Sequence, residues 1–258
     1  MKAAWMERTY LIDGCPFYTK HRKGAGEVTI VFEAGCGTSS ETWTPLLTDI
    51  DEEFGVFTYD RAGIGKSGQS RNKRTADHMV QELNALLLKA GVKPPYLVVS
   101  HSYGTIISRL WASRNRRDIL GMVLLDPVSE DQETKVLPLL PEEMKAAYLK
   151  QFRLEGSHAE FLTSLRQIKH QQIHFNDMPL LILSSGERDE RLKHAHEEWM
   201  KLHRSMLDVS YQSGWIQAKN SSHAIHHDEP HIVHLAIYDV WCAARQQMNA
   251  PAYQAVNS

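Results

Sequence analysis

A chain of 258 residues that is 42% hydrophobic can bury one sizeable core, so a single large α/β domain is the natural reading of its size. Its 29 basic and 31 acidic side chains leave a formal net charge of −2, which argues against a polybasic nucleic-acid surface and against an acidic tail. Three scattered cysteines (Cys15, Cys36 and Cys242), no signal-peptide core in MKAAWMERTY and no bilayer-length apolar run argue against a disulfide scaffold, a zinc knuckle and stable membrane insertion, so a cytoplasmic protein is expected.

Short β-type runs come first, at Thr9–Ile12, Phe17–His21, Val28–Phe32 and Gly55–Tyr59. Thr75 reads as an N-cap, Met79, Leu83, Leu86 and Leu87 follow at helical spacing, and Gly91 suits the C-cap. A strand at Tyr96–Val99 precedes a helix at Thr105–Ser113. The basic cluster Arg114, Arg116 and Arg117 falls at that helix's end, where cations oppose the dipole. Leu120–Asp126 reads as a further strand. Pro127–Met178 then breaks the alternation with a Pro-bearing start and two amphipathic helices. Met144, Tyr148, Leu149 and Phe152 stripe the first; Phe161, Leu165 and Ile168 stripe the second, behind a capping box Ser157–Glu160. Strands follow at Pro179–Ser185 and Val209–Lys219, and Asp228 with Pro230 opens a last helix through Trp241.

Strands alternating with helices, with continuous apolar strand cores, imply an α/β fold. Its sheet is mostly parallel, has about eight strands and carries helices on both faces. The early strands without helices imply an antiparallel edge. Residues 1–126 and 179–258 would form the core domain. Residues 127–178 would form a helical insertion, expected to act as a lid because ligands bind at the carboxyl ends of parallel strands.

The run YLVVSHSYGTIISRL breaks abruptly from strand to helix at Ser102. A turn that tight strains its central residue and exposes its Oγ at the sheet edge, which suits a nucleophile. Crowding there demands small neighbours, and Ser100 and Gly104 supply them. The plain alternative is a serine that only caps a helix.

From about Thr9 to Trp241 the chain resembles the α/β-hydrolase superfamily, in particular its serine carboxylesterase- and lipase-like branch with a short helical lid. Five segments match in order: VFEAGCGTSS the oxyanion loop, YDRAGIGKSG the loop after the fourth strand, VVSHSYG the nucleophile elbow, PLLILSSGERD the acid-bearing loop, and NSSHAIHHDEP the histidine loop. The resemblance implies Ser102 as nucleophile, His223 as general base and Asp189 as the acid that orients it. Asp126, at the end of LLD, is the rival acid, and Glu187 a weaker one. Backbone N–H groups of Cys36 and Tyr103 would form the oxyanion hole, with glycines on both sides of Cys36. The Cys36 thiol itself, partly exposed there, is expected to be sensitive to oxidation. Ser100, Thr105 and Ala34 depart from the family's usual Gly, Gly and His.

Other motifs point away from other chemistries. His223 and His227 lack the glutamate of a zinc-hydrolase helix, so no metal is expected. Gly63 and Gly65, beside Asp60, Arg61 and Ser67, meet neither the Walker nor the Rossmann pattern; they read as a rigid loop under the oxyanion turn. A serine at 102 also argues against dehalogenase or epoxide-hydrolase chemistry, for which this superfamily uses aspartate. The expected function is hydrolysis of carboxylic esters of small to medium, fairly hydrophobic substrates, with no cofactor, by a monomer or homodimer. Alternatives are thioester, amide, lactone or C–C bond hydrolysis or acyl transfer on the same triad, and a ligand receptor with vestigial turnover.

Overall fold

The computed structural model describes residues 4–186 and 189–249. Its eight strands are β1 (Met6–Ile12), β2 (Cys15–Arg22), β3 (Thr29–Glu33), β4 (Gly55–Tyr59), β5 (Tyr96–His101), β6 (Ile119–Leu125), β7 (Leu180–Ser185) and β8 (Ser213–Ala218). They form one sheet in the order β1-β2-β4-β3-β5-β6-β7-β8. β1 and β2 run antiparallel to their neighbours and the rest are parallel. The expected antiparallel edge is therefore present. Asp13 and Gly14 close the β1–β2 hairpin as a two-residue turn, both with positive φ (48° and 79°). Asp-Gly is the pair that such a turn favours.

The helices are α1 (Thr44–Leu47), α2 (Ala76–Ala90), α3 (Gly104–Arg114), α4 (Gln132–Lys135), α5 (Glu142–Gln151), α6 (His158–Gln171), α7 (Lys193–Ser205), α8 (Ile225–Asp228) and α9 (Pro230–Met248). α2 starts and stops at the expected residues: Thr75 is extended at the N-cap, its hydroxyl 3.0 Å from His78 Nδ1 rather than on a helix N–H, and Gly91 is left-handed at φ 68°. Alternate residues of each strand feed two apolar layers. Val31, Phe57, Val98 and Leu124 pack with α2, α3 and α6; Ile30, Val56, Leu97, Val99 and Val123 pack on the opposite face with α1 and α9.

Residues 127–178 leave the sheet after β6 and return at β7, carrying α4, α5 and α6. The two expected helices are there, and the Ser157–Glu160 capping box forms in both directions. They differ in attachment. Phe161, Leu165 and Ile168 of α6 are buried in the layer that holds α2 and α3, and the Ser164 hydroxyl accepts the Ala76 N–H. α5 buries none of its residues. Leu149, expected on its apolar stripe, is 45% exposed. In a helix the step from 148 to 149 turns by about 100°, which carries Leu149 off the face that Met144 and Tyr148 share.

Candidate active site

β5 delivers Ser102. Only Ser102 and Tyr103 separate this strand from α3, and Ser102 takes φ +50°. A non-glycine residue there costs on the order of 1–3 kcal/mol, so the surrounding fold must impose it. Gly104 makes the turn possible: a Cβ at this position would lie 2.5 Å from the carbonyl oxygens of Glu33 and Ala34. Ser100 is fully buried, and its Oγ accepts from Ser108 Oγ at 2.8 Å. The Thr105 hydroxyl donates to the Ser102 carbonyl (2.6 Å) and accepts the Val128 N–H (3.1 Å). The threonine where the family usually has glycine thus ties the elbow to the segment beyond β6.

β6 delivers Asp126. His101 pairs with Leu125 in parallel register, so Ser102 and Asp126 leave neighbouring strands at the same level. The carboxylate is buried. Its Oδ1 accepts the Ser185 N–H (3.0 Å) and lies 3.4 Å from the Trp199 indole N–H; its Oδ2 accepts from Ser185 Oγ (3.0 Å).

The loop after β8 delivers His223. Its Nδ1 lies 2.6 Å from Asp126 Oδ2 and its Nε2 lies 2.9 Å from Ser102 Oγ. With Nδ1–H donated to the carboxylate, Nε2 carries the lone pair and the Ser102 hydroxyl donates to it. The structure therefore brings together Ser102 and His223, as expected, but with Asp126 rather than Asp189. Asp189 begins a 3-10 turn, accepts the Arg191 N–H and pairs with the Arg191 guanidinium at 2.6 Å. The difference is one of position: Asp126 follows its strand directly, whereas Asp189 lies four residues beyond Ser185, the last residue of β7. Glu187 lies outside the described residues.

The electrostatics follow from this geometry. Burial alone would raise the Asp126 pKa, but the hydrogen bond and charge of His223, then His203 and the Ser185 N–H, hold it well below the carboxylate range. The partial desolvation of the half-exposed His223 ring would lower its pKa; the hydrogen bond and charge of Asp126 outweigh it and leave His223 above 6.5. A buried acid kept ionised beside an imidazole of raised basicity suits general-base work.

Ser102, Asp126 and His223 open onto a cavity of about 420 Å³. Its walls come mainly from the 127–178 stretch (Val128, Val136, Leu140, Met144, Tyr148 and Phe152) and from α7 (Ala195 and Trp199). Among the described residues no Lys or Arg lines it. Cys36 and Tyr103 lie in its wall, and neither backbone N–H donates to another described residue. Burial, then the charge of Glu155, pushes the Cys36 thiol up to about 12, so it stays protonated. A thiol held protonated is a weaker target for oxidation than a thiolate. Arg61 packs under the Gly35–Gly37 turn: it donates to the carbonyls of Ala34 (2.7 Å) and Gly35 (2.6 Å).

Several supporting residues escaped the sequence reading. His101 Nε2–H donates to the His223 carbonyl at 2.9 Å and so holds the histidine loop. Its place beside the elbow serine was the available signal. Helix α7 was not anticipated, although Ala195, Trp199, Leu202 and Met206 recur at helical spacing. It supplies Trp199 and the buried His203, whose Nε2–H donates to the Pro127 carbonyl (2.8 Å) while its Nδ1 accepts from Ser184 Oγ (2.7 Å). His227, the residue weighed with His223 as a metal pair, lies 2.9 Å from the Thr42 hydroxyl, and His226 lies 2.7 Å from it.

Comparison with known proteins agrees with this fold. A family model described as alpha/beta hydrolase fold matches residues 28–160. The protein YqjL of Bacillus subtilis (strain 168) is 66% identical over 257 residues, spanning 100% of both chains. A putative carbamate hydrolase RutD of Yersinia enterocolitica is 31% identical over 166 residues, covering 60% of this chain and 59% of that one. Among solved structures, the haloalkane dehalogenase DatA from Agrobacterium tumefaciens C58 superposes with a TM-score of 0.67 at 18% identity, over 93% of this chain and 97% of that one. No helix among the described residues is long and apolar enough to cross a membrane.

Proposed function

Because the chain belongs to the α/β-hydrolase fold family, and because its elbow serine sits in a hydrogen-bonded line with His223 and Asp126, we propose that it is a serine hydrolase cleaving carboxylic esters of small to medium, fairly hydrophobic substrates. The observation that carries this reading is the unbroken line Asp126–His223–Ser102 at the cavity wall. Ser102 Oγ attacks the ester carbonyl while His223 Nε2 takes its proton. Asp126 holds the Nδ1–H tautomer and stabilises the imidazolium. The N–H groups of Cys36 and Tyr103 receive the oxyanion. His223 returns the proton to the leaving alcohol, then activates the water that frees the acid from Ser102.

The largely apolar cavity wall, which carries no Lys or Arg among the described residues, supports an uncharged substrate. Residues 127–178 supply much of that wall, which supports their role as its cover. The serine at 102 weighs against the chemistry named for the dehalogenase neighbour, whose likeness is one of fold. A second reading, carbamate or amide hydrolysis by the same serine, is favoured by the name of the Yersinia relative.

Labelling with a small fluorophosphonate, followed by peptide mapping, tests the mechanism. A stoichiometric adduct on Ser102, absent from Ser102→Ala, is the expected result. A folded protein with Ser102 unmodified would sink the mechanism. Matched nitrophenyl esters and carbamates then separate the two readings.

A further inference from the structure

We propose that Glu155, on the turn joining α5 to α6, is a positioning residue that sets the direction of the Cys36 oxyanion donor; this rests on the serine-hydrolase reading above. Glu155 is 6% exposed and takes no part in the proton relay. Its carboxylate accepts from Arg61 Nε and from Arg61 Nη2 (2.8 Å), and its Oε2 also accepts the Gly37 N–H (3.0 Å).

Peptide planarity gives those contacts their consequence. The carbonyl of Gly35 and the N–H of Cys36 belong to one trans peptide unit, so fixing one fixes the other in the opposite direction. Arg61 Nη2 grips the Gly35 carbonyl at 2.6 Å. The next peptide unit pairs the Cys36 carbonyl with the Gly37 N–H. There Glu155 takes the N–H, and the Thr38 hydroxyl donates to the carbonyl at 3.2 Å. Both peptide planes flanking Cys36 are therefore pinned, one by Glu155 directly and one by the guanidinium that Glu155 orients. Glu33 holds the other side of Arg61, through Nη1.

The clamp belongs to the same stretch that lines the cavity. Met144, Tyr148 and Phe152 line its wall, and Glu155 lies three residues beyond the last of them. The Leu154 side chain closes over Gly37, where an added Cβ would fall 2.6 Å from Leu154 Cδ1. Gly37 itself has φ +65°. The insertion thus holds the oxyanion loop as well as covering the cavity. A purely structural role, neutralising buried Arg61, would change stability and leave the chemistry of each folded site untouched.

Fluorophosphonate labelling separates these cases, since its end point counts competent sites and its rate constant reports the chemistry at each. For Glu155→Gln the rate constant per labelled site should fall ~10–100-fold, because one misdirected oxyanion donor is worth up to about 10²–10³ in rate. On a nitrophenyl ester, kcat should fall in the same ratio with KM within about threefold, the mark of an interaction made in the transition state. Fewer labelled sites reacting at the wild-type rate would overturn the proposal. If Glu155→Gln yields no folded protein, Leu154→Ala decides. Leu154 is 60% exposed, so its loss loosens the same turn without uncovering a charge. A rate per site reduced by about two- to fivefold is then expected, and an unchanged rate overturns the proposal. A wild-type Ser102 that never labels would overturn the serine-hydrolase reading and this inference with it.

Discussion

Asp126 Oδ2 lies 2.6 Å from His223 Nδ1, and the same carboxylate accepts two hydrogen bonds from Ser185. Asp126→Asn should therefore lower kcat by about 10⁴, the cost of presenting the wrong imidazole tautomer in a triad. Asp189→Asn should stay within about twofold, as expected of a surface pair with Arg191. Steady-state rates on a nitrophenyl ester check both. The opposite ranking would return the acid to Asp189.

The activity should have an acid limb set by His223. The general base must be neutral, and Asp126 holds the His223 pKa above 6.5. Log kcat/KM should rise with pH through an inflection above that value, then level. In Asp126→Asn the raising influence is gone, so the residual activity should inflect at lower pH. An inflection that stays put in the variant would show that another group titrates. For stability the sign is reversed: the gain from protonated His223 is present below 6.5 and lost as pH rises through the raised folded value.

Two buried histidines should make the fold sensitive to mild acid. Burial pushes His203 from 6.5 down to about 4 and His226 down to about 3. Between about 6.5 and about 4 the unfolded chain binds protons that the folded chain does not, so stability falls as pH falls through that window. Urea midpoints measured at neutral and mildly acidic pH should show this slope. His203→Gln should flatten it, whatever its effect at neutral pH. An equally steep slope in the variant would move the cause elsewhere.

The elbow should trade stability for geometry. Ser102 holds φ +50°, a conformation that glycine adopts without strain. Ser102→Gly should be inactive yet more stable, by about 1 kcal/mol, or ~2–4 °C in Tm for a domain of this size. Calorimetry of the two proteins is the check. A less stable glycine variant would mean that the serine's contacts outweigh its strain.

The two halves of the insertion should respond differently to truncation. Ile168→Ala removes a 1% exposed side chain from the layer shared with α2 and α3, so it should cost about 2–5 kcal/mol. Leu149→Ala, on the exposed side of α5, should change stability by no more than about 0.5 kcal/mol. Denaturant unfolding of both variants measures the difference. Similar costs would mean that α5 is anchored as firmly as α6.

Much of the fold was legible in the residues because its signals are local. Thr75 and Gly91 mark the ends of α2, and Ser157 with Glu160 opens α6. Each acts through backbone geometry within a few residues. The crowded Ser100–Gly104 turn is of the same kind, so the strained elbow could be read from small residues between a strand and a helix. Helix α7 was harder: five charged residues and three histidines in KHAHEEWMKLHRS dilute its apolar stripe, and only packing shows that His203 belongs inside.

The eight strands with their antiparallel edge and the tight turn at Ser102 were legible in the sequence alone, because local periodicity and turn chemistry specify them, whereas the histidine loop was legible only through its resemblance to a family motif. The acid was not. Asp126 and Asp189 both follow apolar strands, and chain position does not say which faces the imidazole. That was decided by β6 lying beside β5 in a register that pairs Leu125 with His101, so that Asp126 emerges level with Ser102. Register between strands is a long-range property of the assembled sheet, and a hydrogen bond of 2.6 Å depends on it.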